Sequence, residues 1–339
     1  MAGCTLTGAL SVACFIPGAV TVVHAPHGCA HQTFSMLHAM MNDAETKITP
    51  EIMVSGLSDK DVIFGGEGCL RQALDRAAEK KPDLIIVVTS CVPETIGDDC
   101  RAVCQEHAYA KQILYIPTSG FLGGSAKDGE NSALIGLAGL AEPAEPIPGT
   151  VAIIGEKNLE SEVEENYAEV TRLLHLLDLT VTVRFCRNAD VATLKKLGTA
   201  SCFILRDDRS SDAGRELGKK FNRRVIREFP RGLSGAITFL RETGTACGIS
   251  REKIDAAVSS ENAWQEKKLA GFSKLRGKSV FLGAEPLEGI FAVAREAIER
   301  IGMTESPDGV EVKPPFYLPV GVSGTMKMLY LWRRRILHG

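Results

Sequence analysis

Short apolar runs alternate along the chain with longer stretches in which apolar residues recur every third or fourth position. The runs Val20–Val23, Asp83–Thr89, Ile113–Ile116, Val151–Ile154, Val181–Phe185, Cys202–Leu205 and Ser279–Leu282 predict buried strands. Between them, Glu67–Lys80, Ser161–Leu177, Asp212–Asn222, Gly232–Thr243 and Leu287–Ile301 carry helical spacing. This alternation predicts an α/β fold of repeated doubly wound, Rossmann-like units with mainly parallel sheets, the final unit shortened. The Pro-rich segment Glu142–Gly149 reads as a linker and Leu275–Lys278 as a second boundary. They divide the chain into a first α/β domain over 1–147, a second over 148–275 and an abbreviated third unit over 276–339.

Composition narrows the class. A chain of 339 residues that is 45% hydrophobic can bury a substantial core. A formal net charge of -3 with no long Lys/Arg run gives no electrostatic footprint for a nucleic-acid backbone. Met1–Asn42 contains no Asp, Glu, Lys or Arg. It lacks the basic opening of an export signal, and Pro17, Gly18, His24, His27 and Gly28 interrupt it before a membrane span is complete. The expectation is therefore a cytoplasmic protein, no membrane insertion, and a charge-free segment buried by its own domain and by a partner subunit. Ten cysteines set in apolar, regular segments point to metal ligation or buried thiols in a reducing compartment rather than to a disulfide scaffold.

Two cysteines share a setting. Cys29 closes Val22-Val-His-Ala-Pro-His-Gly-Cys29, where a strand ends in a Pro/Gly turn and a helical run begins. Cys91 ends Leu84-Ile-Ile-Val-Val-Thr-Ser-Cys91, with Pro93 and Glu94 suited to a helix start. Ligands collect at the carboxyl ends of strands in open α/β sheets, and helix N-termini favour thiolates. Cys4 precedes the small-residue run Thr7-Gly-Ala-Leu-Ser-Val-Ala13, which permits close approach to another backbone. For any single cysteine the alternative is a buried, unreactive thiol. That reading is kept for Cys14, Cys69, Cys186, Cys202 and Cys247. Cys100 and Cys104, one helical turn apart, have the spacing of two ligands to one metal but no visible further ligands. For His24, His27 and His31, local hydrogen bonding is as good a reading as ligation.

The spans Cys4-Thr-Leu-Thr-Gly-Ala9, His24-Ala-Pro-His-Gly-Cys29, Asp61-Val-Ile-Phe-Gly-Gly66 and Thr89-Ser-Cys-Val-Pro-Glu-Thr-Ile-Gly-Asp-Asp99 resemble the nitrogenase component 1 superfamily. Pro117-Thr-Ser-Gly-Phe121 with Gly123 and Gly124, and Val151–Gly248 including Phe229-Pro-Arg-Gly232, extend the likeness in order. The resemblance implies that Cys4, Cys29 and Cys91 ligate an iron–sulfur cluster, 4Fe-4S or a larger shared one, with Gly28 and Ser90 in its surroundings. Three thiolates leave a 4Fe-4S cluster one ligand short, which suits a cluster completed by a non-cysteine ligand or one shared with a second subunit, in a homodimer or a heterodimer with a related subunit. Where the family's catalytic subunit anchors its large cofactor through a cysteine, this chain reads Leu205-Arg-Asp-Asp-Arg-Ser-Ser211, and only a short stretch follows Gly283. An iron-molybdenum-type cofactor is therefore not expected.

The function so implied is a reductase subunit that receives electrons from an ATP-dependent iron protein, with tetrapyrrole reduction as the branch that the compact length suits. Two alternatives stay open: a metallocluster assembly scaffold, and a cluster-free structural or binding relative. The basic run Trp332-Arg-Arg-Arg335 reads as a solvated helix end.

Overall fold

The computed structural model describes residues 3–44, 49–118, 120, 124–285 and 288–338. Ser119, Phe121 and Gly123 of the loop motif, and Leu287 at the start of one predicted helix, lie outside the described residues. The chain divides into two compact units, Met1–Ser161 with Val181–Val225, and Glu162–Thr180 with Ile226–Gly339.

The first unit holds two sheets. Strands β1 (Ala19–His24), β2 (Ile52–Val54), β3 (Leu84–Thr89) and β4 (Ile113–Ile116) form a parallel sheet in the order β2-β1-β3-β4. Strands β5 (Ile147–Ile154), β6 (Thr180–Phe185), β7 (Ala200–Leu205) and β8 (Arg224–Ile226) follow in the order β6-β5-β7-β8, with β5 and β7 parallel. In the second unit, β9 (Ser279–Phe281), β10 (Thr304–Glu305) and β11 (Val310–Glu311) make a small parallel sheet, β10-β9-β11. Each sheet places its second and third strands on opposite flanks of its first; in the first two, helices join the successive strands in a doubly wound plan, as the pattern predicts, whereas in the shortened third only the β9–β10 connection carries a helix, Ile290–Ile301. The strands that the pattern misses, β2, β8, β10 and β11, have only two or three residues, too few to show a period. β5 begins at Ile147, inside the Pro-rich stretch read as a linker.

Seven helices flank the first sheet: α1 (Thr5–Ala13), α2 (His27–Asp43), α3 (Asp59–Phe64), α4 (Glu67–Glu79), α5 (Cys91–Ile96), α6 (Cys100–Glu106) and α7 (Ala126–Ala138). Side chains alternate across β1 and β3 with the period of a strand. Val20, Val22, Ile85 and Val87 meet Leu70, Leu74 and Ala77 of α4 and Val103 of α6. Val23, Ile86 and Val88 belong to the core that includes Leu6 and Leu10 of α1 and Leu134 and Leu137 of α7. With both faces covered, β3 is buried along its whole length, which is why it reads as an unbroken apolar run. The charge-free N-terminal segment divides: every residue of α1 and β1 is buried, whereas His31, Gln32, Ser35, His38 and Ala39 of α2 are exposed.

In the second unit a core around Phe272, Val280, Leu329 and Trp332 joins the helices Ile290–Ile301 and Gly321–His338 to the small sheet. Trp332 is buried and its Nε1 donates to the Lys313 carbonyl at 3.0 Å, while Arg334 and Arg335 are exposed. No helix among the described residues is long and apolar enough to cross a membrane.

The small residues of α1 serve one contact. A Cβ built on Gly8 would lie 1.8 Å from the Ala126 carbonyl oxygen, and one on Gly129 would lie 1.8 Å from the Thr5 carbonyl oxygen. The two helices cross backbone to backbone, and only glycine fits at either position. Gly8→Ala or Gly129→Ala should cost about 3 kcal/mol, the upper end of overpacking penalties. Gly68→Ala, which meets nothing within 4 Å, should be neutral or slightly stabilising. Urea midpoints of the three variants check this, and equal midpoints would contradict the close crossing.

Candidate functional site

The switch point of the first sheet lies between β1 and β3, and their ends are in register, His24 opposite Thr89. From those ends the chain carries Cys29 into the first turn of α2 and Cys91 onto the first residue of α5. Ser90 N–H donates to the His24 carbonyl at 3.0 Å, which holds the two turns together.

Cys4 reaches the same edge from another direction. It is the N-cap of α1, and its neighbour Thr5 donates its hydroxyl to the Thr118 carbonyl just beyond β4. Thr118 in turn is bound to the end of β3: Thr89 N–H donates to Thr118 Oγ1 at 3.1 Å, and that hydroxyl donates to the Thr89 carbonyl. Three threonines therefore link the first turn of α1 to the residue two before Cys91. The Ala126 N–H, donating to the Gly3 carbonyl at 3.0 Å, fixes the chain on the other side of Cys4.

The three thiols share one electrostatic neighbourhood. Burial pushes the Cys29 thiol up, and the nearby Cys4 and Cys91 push it further the same way, because a second and third thiolate repel the first. Among the described residues, no three His, Cys, Asp or Glu side chains converge on a single metal ion. Three helix N-termini face this edge, and the first turns of α1 and α2 carry no acidic side chain. Their partial positive charge favours anions. Gly28, exposed in the first turn of α2, brings an amide with no intrahelical partner. Ser90 Oγ is buried without a hydrogen-bond partner among the described residues. A buried hydroxyl in that condition is costly unless something else accepts its proton.

The remaining candidates separate clearly. Cys100 and Cys104 are buried in α6, and burial raises both thiols to about 12, so neither supplies a thiolate near neutral pH. Burial likewise pushes Cys14 and Cys186 far up, and Cys202 is buried. Cys69 is half-buried with its thiol raised by burial and by its hydrogen bond to Asp61. His24 is fully buried, with Nδ1 2.8 Å from Ser55 Oγ and Nε2 3.1 Å from Asp98 Oδ2. Asp98 Oδ1 also accepts from Gly66 N–H at 2.9 Å, so this pair ties the end of β1 to the α3–α4 turn and to the end of α5. Sequence reasoning missed Thr5, Ser55, Asp98 and Thr118 as site-building residues. It also gave no role to Val62, Ile63 and Phe64 of α3, which packs against α5. Ile63 is 73% and Phe64 78% exposed, an apolar surface beside the Cys91 helix.

The chain belongs to the nitrogenase component 1 type oxidoreductase family, whose sequence profile matches residues 4–305. It is similar to the nitrogenase iron-molybdenum cofactor biosynthesis protein NifE of Clostridium pasteurianum, 34% identical over 47% of this chain and 36% of that protein. It is also similar to one subunit of the light-independent protochlorophyllide reductase of Rhodopseudomonas palustris, 25% identical over 87% of this chain and 56% of that one. The solved structure "Nitrogenase Cp1 at pH 5" shares the fold, with a TM-score of 0.65 at 18% identity, covering 94% of this chain and 65% of its own. The chain thus spans less than two thirds of the length of each of these relatives.

The His24 pair gives the fold a pH dependence. Burial lowers His24 from 6.5 against the raising effect of Asp98, so the folded chain holds the imidazole neutral. The consistent tautomer donates Nε2–H to Asp98 and accepts at Nδ1 from the Ser55 hydroxyl, which itself accepts from Ala25 N–H at 3.1 Å. The unfolded chain binds the proton more readily, so this stabilisation is complete above about pH 6.5 and is lost as pH falls through that value toward the folded one. Between about pH 7.5 and about pH 5.5, His24→Asn should lose less stability than the unsubstituted chain. Parallel losses in the two urea series would contradict a buried neutral His24.

Proposed function

We propose that the chain is the iron–sulfur subunit of a nitrogenase-like reductase, with Cys4, Cys29 and Cys91 as thiolate ligands of a 4Fe-4S or larger shared cluster. One observation supports this reading: Cys29 and Cys91 follow the neighbouring ends of β1 and β3, and Cys4 caps a helix tied to the end of β3 through Thr5, Thr118 and Thr89. Such a cluster supplies single-electron storage and transfer. The chain's own groups hold and tune it. The Cys29 and Cys91 carbonyls are locked by Thr33 and Thr95 hydroxyls at 3.0 and 2.8 Å. The Ser90 hydroxyl and the Gly28 amide would be donors to such a cluster, and donation of that kind would raise a reduction potential by stabilising the electron-rich state.

Three ligands call for a fourth from elsewhere, and the exposed, uncharged face of α2 beside Cys29 supports a second copy or a related subunit as its source. The exposed Val62, Ile63 and Phe64 support docking of the electron donor, an ATP-dependent iron protein, next to Cys91. Similarity to protochlorophyllide reductase favours a tetrapyrrole as the final acceptor. Similarity to NifE favours the second reading, an assembly scaffold that hands on a metallocluster without turnover. Substrate reduction by the purified chain with its iron protein and ATP separates the two.

Cys4→Ala, Cys29→Ala and Cys91→Ala should each lose iron after anaerobic isolation. Cys69→Ala, Cys186→Ala and Cys202→Ala should keep it, at a packing cost on the order of 1 kcal/mol. Full iron in Cys29→Ala would refute the ligand set. Phe64→Ala should leave iron content unchanged and slow electron transfer from the iron protein, and an unchanged rate would remove α3 from the docking surface.

A further inference from the structure

The switch point of the second sheet lies between β5 and β7, and there the plan that gathers thiols in the first sheet gathers charges. Glu156, Lys157 and Asn158 follow β5, Arg206, Asp207 and Arg209 follow β7, and Arg187 follows β6. Lys157 is buried, its ammonium between the Glu130 carboxylate and Asp207 Oδ2, the latter at 3.0 Å. Arg209 closes on the other Glu130 oxygen at 3.2 Å. Arg187 holds the backbone of the same turn, donating to the Lys157 and Asn158 carbonyls at 2.9 and 3.1 Å. Glu156 is paired separately, with Arg184 at 3.5 Å and Arg206 at 3.6 Å. Among the described residues, no thiol or imidazole follows β5 or β7 at this edge; Cys186, which follows β6, is buried, with its thiol pushed up by burial and further by Glu130, and the charged groups are spent on one another. This donor set does not fit a thiolate-anchored metal cofactor, so the edge needs another role.

Its contacts indicate which. Glu130 lies on α7, next to Gly129, the point at which α7 touches α1. Asn158, also buried, donates Nδ2 to the Ser11 carbonyl in the last turn of α1 at 3.1 Å. The charged network therefore grips both helices of the glycine crossing, and the N-cap of one of them is Cys4. We propose that Lys157 and Asn158 are positioning residues that hold Cys4 at the first sheet's switch point through α7 and α1. This rests on the reading of Cys4 as a cluster ligand, but the placement of Cys4 is testable without the cluster. Cys29 and Cys91 come straight from strand ends and do not depend on the network.

The experiment uses the folded full chain in two states. In iron-free protein, a short bis-maleimide links Cys4 to Cys29 or Cys91, and the yields are read by mass spectrometry. Asn158→Ala and Lys157→Met should lower the Cys4 crosslinks several-fold and leave the Cys29–Cys91 crosslink unchanged. Glu156→Gln, which disturbs the same edge without releasing α1 or α7, should lower stability and leave all crosslinks as they were. In iron-loaded protein, Asn158→Ala should shift the electron paramagnetic resonance spectrum and midpoint potential while Glu156→Gln does not. Unchanged Cys4 crosslinks in folded Asn158→Ala would overturn the proposal, as would an equal loss in Glu156→Gln. If the unsubstituted chain bound no iron while the selective loss of Cys4 crosslinks persisted, the cluster reading would fail and the positioning role would stand.

Discussion

Because β2 and β3 pair with opposite edges of β1, the connections leaving β1 and β3 run to opposite sides of the sheet, and no crossover covers the carboxyl ends of these two strands. Everything at the candidate site follows from that gap. The turns that open α2 and α5 are aimed into it, and each places a cysteine where backbone N–H groups lack helical partners. The third cysteine has no strand of its own at this edge. It depends on a tertiary arrangement: a helix pressed against another at two glycines and anchored to β3 and β4 through Thr5, Thr118 and Thr89.

Cys29 is a liability without a cation. Partial burial and the charges of Cys4 and Cys91 both oppose its ionisation, so a thiolate there needs compensating positive charge. Helix N-termini offset part of that cost, and coordinated iron would remove the rest by deprotonating the thiols outright. The second sheet solves the same geometric problem differently. Its switch point carries buried ion pairs, which rigidify the turn where the first sheet's edge keeps exposed sulfur.

The strand ends at Cys29 and Cys91 were legible in the sequence because an apolar run, a turn and a helix start are local signals. The doubly wound plan was legible for the same reason, except in β2, β8, β10 and β11, which are too short to show periodicity. Convergence of Cys4 was not legible from the residues themselves. It rests on hydrogen bonds such as Thr5 to Thr118, 113 positions apart, which leave no local pattern, and only the order of motifs in the family pointed to it. The His24–Asp98 pair, 74 positions apart, was hidden in the same way. The exposure of Val62-Ile63-Phe64 was not legible either, since an apolar triplet carries no mark of which side faces solvent, and α3 buries none of its residues.

Whether three cysteines at this switch point carry an iron–sulfur cluster is decided by iron and acid-labile sulfide measured per chain after anaerobic isolation, with the visible spectrum recorded before and after exposure to air. Brown protein is expected, with iron and sulfide in comparable amounts and an absorption that bleaches in air as cluster sulfur and thiolates oxidise. Colourless, iron-free protein after anaerobic reconstitution with iron and sulfide would contradict the cluster.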